Sequence, residues 1–200
     1  MKQIRVTVAM LAVAFTLTTA GSAVAQTPAT TAPVKVVKSA LKKIRLQAPA
    51  GATLDVAVID QAGTVLYTGA VQVKDSRGTS LNLTNLPDGR YYVTATNNDF
   101  WMSQGIMVLN DKVVVDAQNV TEVVRPSLVA YAKNKYEVVM PGVKTLSVAI
   151  YDRMNDLVFT KSFGSAGEVH RFDLSSLPSG EYTFVYGPEQ KQFIEHVAIK

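Results

Sequence analysis

Between Thr53 and Asp60 the large apolar residues fall on every second position: Leu54, Val56 and Val58 alternate with Asp55, Ala57 and Ile59. Leu146, Val148 and Ile150 repeat the pattern further on. A period of two with β-branched enrichment predicts strands that rest one face on a core. Further strands are predicted at about 64–74, 79–84, 90–96 and 104–109, and again at 156–163, 169–174, 181–186 and 192–199. Asp60-Gln61-Ala62-Gly63 and Asp152-Arg153-Met154-Asn155 carry turn chemistry. Asp bonds nearby backbone, and Gly or Asn tolerates positive φ. Short strands at this spacing, with no sustained 3.6-residue period after residue 33, predict an all-β chain of two tandem immunoglobulin-like (Greek-key) β-sandwiches.

The two halves repeat each other. Lys43-Ile44-Arg45-Leu46-Gln47-Ala48-Pro49 lies over Lys135-Tyr136-Glu137-Val138-Val139-Met140-Pro141 at an offset of 92, which also puts Thr53–Asp60 on Thr145–Asp152 and Val65–Thr68 on Leu157–Thr160. One residue is lost in the next loop. At offset 91, Leu83-Thr84-Asn85-Leu86-Pro87-Asp88-Gly89-Arg90-Tyr91 matches Leu174-Ser175-Ser176-Leu177-Pro178-Ser179-Gly180-Glu181-Tyr182. A fixed order of strand, turn and strand at one period marks a repeated module. The predicted division is a signal peptide at 1–25, a Thr/Pro/Ala linker at 26–33, copy one at 34–125 and copy two at 126–200.

Within each copy Leu-Pro-x-Gly-x-Tyr precedes a strand. A Tyr at that point predicts a tyrosine corner, its hydroxyl bonded back to the preceding connection. The pattern Leu-x-Val-x-Val/Ile-x-Asp, a turn, Val/Leu-x-Tyr/Phe and then Leu-x-x-Leu-Pro-x-Gly-x-Tyr resembles small immunoglobulin-like modules of secreted bacterial proteins. It is nearest to the C-terminal sorting domain of the type IX secretion system. That resemblance implies a β-sandwich that guides a cargo protein across the outer membrane. Copy two, from Leu146 to Lys200, carries it best by eye, through Asp173-Leu174-Ser175-Ser176-Leu177-Pro178-Ser179-Gly180-Glu181-Tyr182. Copy one in turn keeps Gly63 after its first long strand, where copy two has Asn155-Asp156.

The N-terminus has the form of an export signal. Lys2 and Arg5 precede an apolar stretch from Val6 to Ala20, and Ala23-Val24-Ala25 supplies a small-residue cleavage site before Gln26. The stretch is shorter than the roughly 20 residues that span a bilayer. An exported chain is therefore expected, periplasmic, on the cell surface or extracellular, with no transmembrane span once processed. Loss of Lys2 and Arg5 lowers the net charge from +4 to +2. The remaining charge is uneven: Lys35, Lys38, Lys42, Lys43 and Arg45 precede the first acid, Asp55. These five form a candidate basic arm for an anionic surface, or equally the outward face of a first strand.

Candidate chemistry is sparse. There are no cysteines and two histidines, His170 and His196, which excludes disulfides and thiolate sites. Glu168 and His170 share a strand face by alternation, the arrangement of a solvated cross-strand pair more readily than of a general base. Asn97-Asn98-Asp99 reads as a turn rather than a Ca²⁺ loop. No phosphate loop, nucleophile elbow or His-Glu-x-x-His motif occurs. Phe100, Trp101 and Met102, which include the single Trp, form the candidate partner-binding segment, since an aromatic at a loop edge can stack on a sugar or anchor a partner. The expected function is a non-enzymatic interaction or structural module of the cell envelope, with protein or envelope polysaccharide as partner and neither nucleic acid nor cofactor. The alternative is a secretion-sorting domain that directs export to the cell surface.

Overall fold

The computed structural model describes residues 34–75, 77–140, 144–164 and 169–200, together with the backbone of Arg5–Val8. Every regular element described is a strand. In chain order they are β1 (Arg5–Val8), β2 (Lys35–Ala40), β3 (Lys43–Gln47), β4 (Thr53–Asp60), β5 (Val65–Gln72), β6 (Thr79–Asn82), β7 (Gly89–Thr96) and β8 (Phe100–Leu109). There follow β9 (Lys112–Val124), β10 (Ser127–Ala132), β11 (Lys135–Val139), β12 (Leu146–Asp152), β13 (Leu157–Phe163), β14 (Val169–Asp173), β15 (Gly180–Gly187) and β16 (Phe193–Ile199). The chain divides into two compact units between Glu122 and Val123, a few residues before the boundary expected from the repeat.

Each unit is a three-on-four sandwich with one strand added. In the first, β2-β3-β6 faces β5-β4-β7-β8, and β9 extends the second sheet beyond β8. In the second, β10-β11-β14 faces β13-β12-β15-β16, and β1 extends the first sheet beyond β14. Strand for strand the connectivity is the same, the all-β tandem immunoglobulin-like arrangement predicted from alternation. The residues 1–33 read as signal and linker lie outside the described residues, apart from Arg5–Val8. That strand runs antiparallel to β14, with Arg5 opposite Asp173 and Val8 opposite His170. Four residues of the stretch read as a signal peptide thus pair with β14, since an unpaired strand edge accepts extended backbone.

Equivalent bonds hold the two units. Asp60 Oδ1 accepts from the amides of Ala62 (2.9 Å) and Thr64 (2.8 Å); Asp152 Oδ1 accepts from those of Met154 (2.8 Å) and Asp156 (3.0 Å). The turn then needs a left-handed residue, supplied by Gly63 (φ 88°) in one unit and Asn155 (φ 62°) in the other. The Leu83 amide donates to the Lys42 carbonyl, and Leu174 to Asn134 in the same way. Both tyrosine corners are present: the Tyr91 hydroxyl donates to the Pro87 carbonyl at 2.8 Å, and Tyr182 to Pro178 at 2.9 Å. Tyr91→Phe is expected to cost about 1 kcal/mol, the net worth of one hydrogen bond. For a unit of this size that lowers its melting temperature by about 4–8 °C, read by calorimetry. An unchanged transition would remove the corner's energetic role.

The cores differ in kind. The first unit packs aliphatic residues, among them Ile44, Leu46, Leu54, Val56, Val58 and Val93, all nearly inaccessible. In the second, Phe172 is fully buried and meets Phe159, Phe163 and Phe184 edge-on, with ring centroids 5.7, 6.1 and 5.8 Å apart. Strand β9 and the start of β8 at Phe100 were not legible as strands. Along β9 only Val113 and Val123 are buried, so no period-two pattern marks it. It is held by the buried Gln104, whose Nε2 lies 2.6 Å from the Asp116 carbonyl and 3.3 Å from that of Asn119.

Candidate interaction surface

The five basic residues do not form an arm. They lie on the β2–β3 hairpin of a sandwich, where Lys35, Lys38 and Lys43 are exposed. Lys42 is largely buried, with its ammonium 3.1 Å from Asp111 and donating to the Leu86 carbonyl at 3.2 Å. Arg45 reaches Ser39 at 3.4 Å. Alternation along the strands disperses the run, and Asp111 neutralises its most buried member.

The aromatic segment is likewise split by β8. Met102 is 2% exposed and sits opposite Ala95 in the core. Phe100 is half-buried and packs on the same core. Trp101, opposite Thr96, takes the other face and stays half-buried. Met102 is therefore a packing residue, and Trp101 is the member of the trio that turns away from this core. The preceding Asn97 is used by the turn, its side-chain oxygen accepting from the amides of Asp99 (2.8 Å) and Phe100 (3.0 Å).

Neither histidine joins a catalytic constellation among the described residues. His170 is 2% exposed, with its ring 4.1 Å from that of Phe163. Glu168, its suggested neighbour, lies outside the described residues. His196 is exposed, and its Nδ1 lies 3.0 Å from the Thr183 hydroxyl. The strongest polar cluster is structural. The buried Tyr186 hydroxyl donates to Glu195 at 2.9 Å, and Arg125 donates to the Ile194 carbonyl at 3.1 Å. Burial first, and the Glu195 carboxylate second, hold the Tyr186 phenol well above its usual range.

Asp173 is pushed down to about 2, chiefly by its hydrogen bonds from Ser175 and Lys135. Its carboxylate lies 3.0 Å from both the Ser175 amide and the Lys135 ammonium. A depressed folded-state value contributes stability above the ordinary carboxylate range and loses it as the pH falls through the folded value. Wild type is expected to exceed Asp173→Asn in melting temperature at neutral pH, with the gap closing between about pH 4 and 2. The pair is partly solvated, so the gap corresponds to less than about 1 kcal/mol. A gap independent of pH would contradict the assignment.

One feature escaped the sequence altogether. On the open side of the first unit, between edge strands β5 and β6, lies a cleft of about 440 Å³. Val58, Leu66, Tyr67, Leu81, Leu83 and Leu86 line its apolar surface, with Ser80, Asn82 and Asn85 among its polar residues. A bulge in β5, where the register steps from Tyr67 opposite Val58 to Val65 opposite Ile59, leaves Leu66 unpaired. Val65, Leu66 and Tyr67 are 56%, 45% and 45% exposed. The signal available in the sequence is weak: Gln61–Val73 contains no charged residue, which is unusual for an edge strand.

The fold and this surface define a protein of tandem immunoglobulin-like β-sandwiches. Residues 38–109 match the family described as secretion system C-terminal sorting domain, so the chain is similar to that family over its first sandwich. The match falls on copy one, whereas the motif Asp173–Tyr182 that carries the resemblance in the sequence lies in copy two; copy one is the half that keeps Gly63 in its turn. No curated protein matches the chain. Among solved structures, one described as a biofilm associated protein, BSP domain, is 18% identical with a TM-score of 0.29, covering 84% of this chain. This chain spans 29% of that one. Among the described residues no helix is long and apolar enough to cross a membrane.

Proposed function

We propose that the chain is an exported, non-enzymatic protein whose tandem sandwiches serve as an interaction or structural module of the cell envelope. The observation that carries this reading is the match of residues 38–109 to a secretion-system sorting domain. Such a domain works by being recognised and carried, not by turning over a substrate. The n-region, apolar stretch and Ala23-Val24-Ala25 site support an export step that releases the chain from Gln26. Two sandwiches of identical connectivity support the view that a single module was used twice. Trp101, half-buried on the outer face of β8, is the residue we would expect a protein or polysaccharide partner to meet.

The second reading is that the chain is itself a sorting address. The matched module is followed by another sandwich, and in this reading copy two is the address. Two measurements separate the readings. The full chain, epitope-tagged and expressed in a bacterium carrying a type IX system, is expected to become accessible to external protease. Retention inside the outer membrane would overturn surface delivery. Residues 126–200 fused to a periplasmic reporter are expected to leave it in the periplasm, and a reporter carried to the surface would favour the address.

A further inference from the structure

We propose that the outward face of β2–β3–β6 binds an acidic polysaccharide, its carboxylates seated along a row made by Lys35, Arg45 and Lys43. This deepens the interaction-module reading and rests on it, naming the face and the chemical class of the partner.

Strand pairing builds the row. Ile44 and Leu46 point into the core, so Lys43 and Arg45, which alternate with them, share the opposite face of β3. Lys35 joins them from β2: Val37 lies opposite Arg45, and Lys35, two positions before it, is the diagonal neighbour. Such neighbours stand about 7 Å apart on a sheet. Lys42 is taken by Asp111, and Lys38 sits opposite the inward Ile44, so neither belongs to the row. Among the described residues no acid pairs with the three cations. Arg45 reaches Ser39, and Asp75, whose charge it also feels, is held by Arg77 at 2.8 Å.

The second sandwich carries a neutral version of the same face. At the repeat's offsets Lys43, Arg45, Ser80 and Asn82 correspond to Lys135, Glu137, Arg171 and Asp173, and the strand registers agree. There Lys135 pairs with Asp173 at 3.0 Å, and Arg171 with Glu137 at 3.2 Å. In the first sandwich Arg45 stands where Glu137 does, Asn82 where Asp173 does, and Lys35 where Ser127 does. Both acids are gone, and positive charge remains with nothing to balance it. Like charges this close destabilise a sheet, so folding alone does not account for the row. Lysine on an edge strand guards against unwanted pairing, which accounts for Lys35. It does not account for Lys43 and Arg45, which lie on the middle strand.

The chemistry of the face selects the partner. A row of cations attracts anions, and the Arg45 fork can take a carboxylate through two parallel bonds. Gln47, Ser80 and Asn82 border the row and offer hydrogen-bond partners to sugar hydroxyls. No aromatic residue occurs in β2, β3 or β6, so the face has nothing to stack on nucleic-acid bases. Val37, its largest apolar residue, is half-buried, which leaves little to enter a bilayer.

The test uses the full chain and polygalacturonate, a linear polymer of carboxylated sugars. Binding is followed by calorimetry and by NMR shifts at Lys43, Arg45 and Asn82. Saturable binding that moves these amides is expected, weakening about tenfold as salt rises from about 0.05 to about 0.2 M. Arg45→Glu and Asn82→Asp each install the residue that the second sandwich carries at that point. Arg45→Glu should weaken binding at least about tenfold, and Asn82→Asp about threefold. Arg90→Glu is the control: it makes the same charge change at an exposed position on β7, in the other sheet, and again installs the second unit's residue, Glu181. It should leave binding unaltered. Melting temperatures check the variants, and Asn82→Asp carries the comparison if Arg45→Glu does not fold. No binding, equal binding of neutral dextran, or equal weakening by Arg90→Glu would each overturn the assignment. Tighter capture by phosphatidylglycerol vesicles than by polygalacturonate would overturn it in favour of a lipid surface. A chain that reaches the cell surface yet ignores polygalacturonate loses this face and keeps the broader reading, which the protease experiment tests separately.

Discussion

Phe172→Ala is expected to destabilise the second sandwich by about 3–5 kcal/mol, the range for removing a large aromatic from a packed core. The ring is fully buried and holds Phe159, Phe163 and Phe184 in edge-on contact. Its loss forfeits both the transfer energy of the side chain and the aromatic pairings around it. In a unit of fewer than a hundred residues, each kilocalorie lowers the melting temperature by about 4–8 °C. The variant should therefore lose the second unit's transition at ordinary temperature in a calorimetric scan. The first unit contains none of these rings, so its transition should stay in place. Phe172→Leu installs the residue found at the equivalent Leu81 and should cost far less, about 1–2 kcal/mol, because most of the volume remains. Equal losses from Ala and Leu would show that the ring's shape, rather than its bulk, supports the core. A negligible loss from Ala would disprove its central place.

The second large effect concerns Gly78→Ala in the first sandwich, expected to cost about 3 kcal/mol. Two penalties combine there. Gly78 has φ of 79°, a left-handed conformation that costs other residues roughly 1–2 kcal/mol. A Cβ would also come within 2.2 Å of the Leu46 carbonyl oxygen and 2.9 Å of its carbon. Those are backbone atoms of β3, which cannot rotate aside, and forced overpacking of this kind adds about 1–3 kcal/mol. Gly51→Ala is the control. Its φ is 85° but nothing lies within 4 Å of the added carbon, so it should show the conformational penalty alone. The difference between the two variants, measured by chemical denaturation of the first unit, isolates the steric part. Equal costs would mean that β3 yields to the new methyl group.

These two residues differ in how readily the sequence announces them. Phe172 lies within a predicted strand, so alternation confines it to one of two faces, although the sequence does not say which of them is buried. Gly78 has no such signal, because its constraint comes from Leu46, thirty-two positions away in the chain. The same contrast runs through the surface. The turn at Asp60–Gly63 and its partner at Asp152–Asn155 were legible because their bonds are local. For Lys42 the sequence offers a basic arm or the outward face of a strand; its ammonium is held by Asp111 and the Leu86 carbonyl, contacts that form only after the sheets assemble. Met102 was grouped with Trp101 by adjacency. Strand pleating sends neighbours to opposite faces, so one packs in the core while the other faces outward.

By itself the sequence determined the all-β class, the two-module order, the repeated turns and both tyrosine corners. Each of these rests on spacing along the chain, on a period of two or on a side chain bonding backbone a few residues away. The tertiary structure alone decided that β9 extends a sheet with little burial, that Gln104 anchors it, and that Arg5–Val8 lies on β14. It also decided that one sandwich closes its side with Phe159 and Phe172 while the other leaves a cleft beside Tyr67 and Leu81. These features depend on which edges meet and how much volume the facing side chains fill. A linear pattern does not encode such quantities until the sheets are stacked.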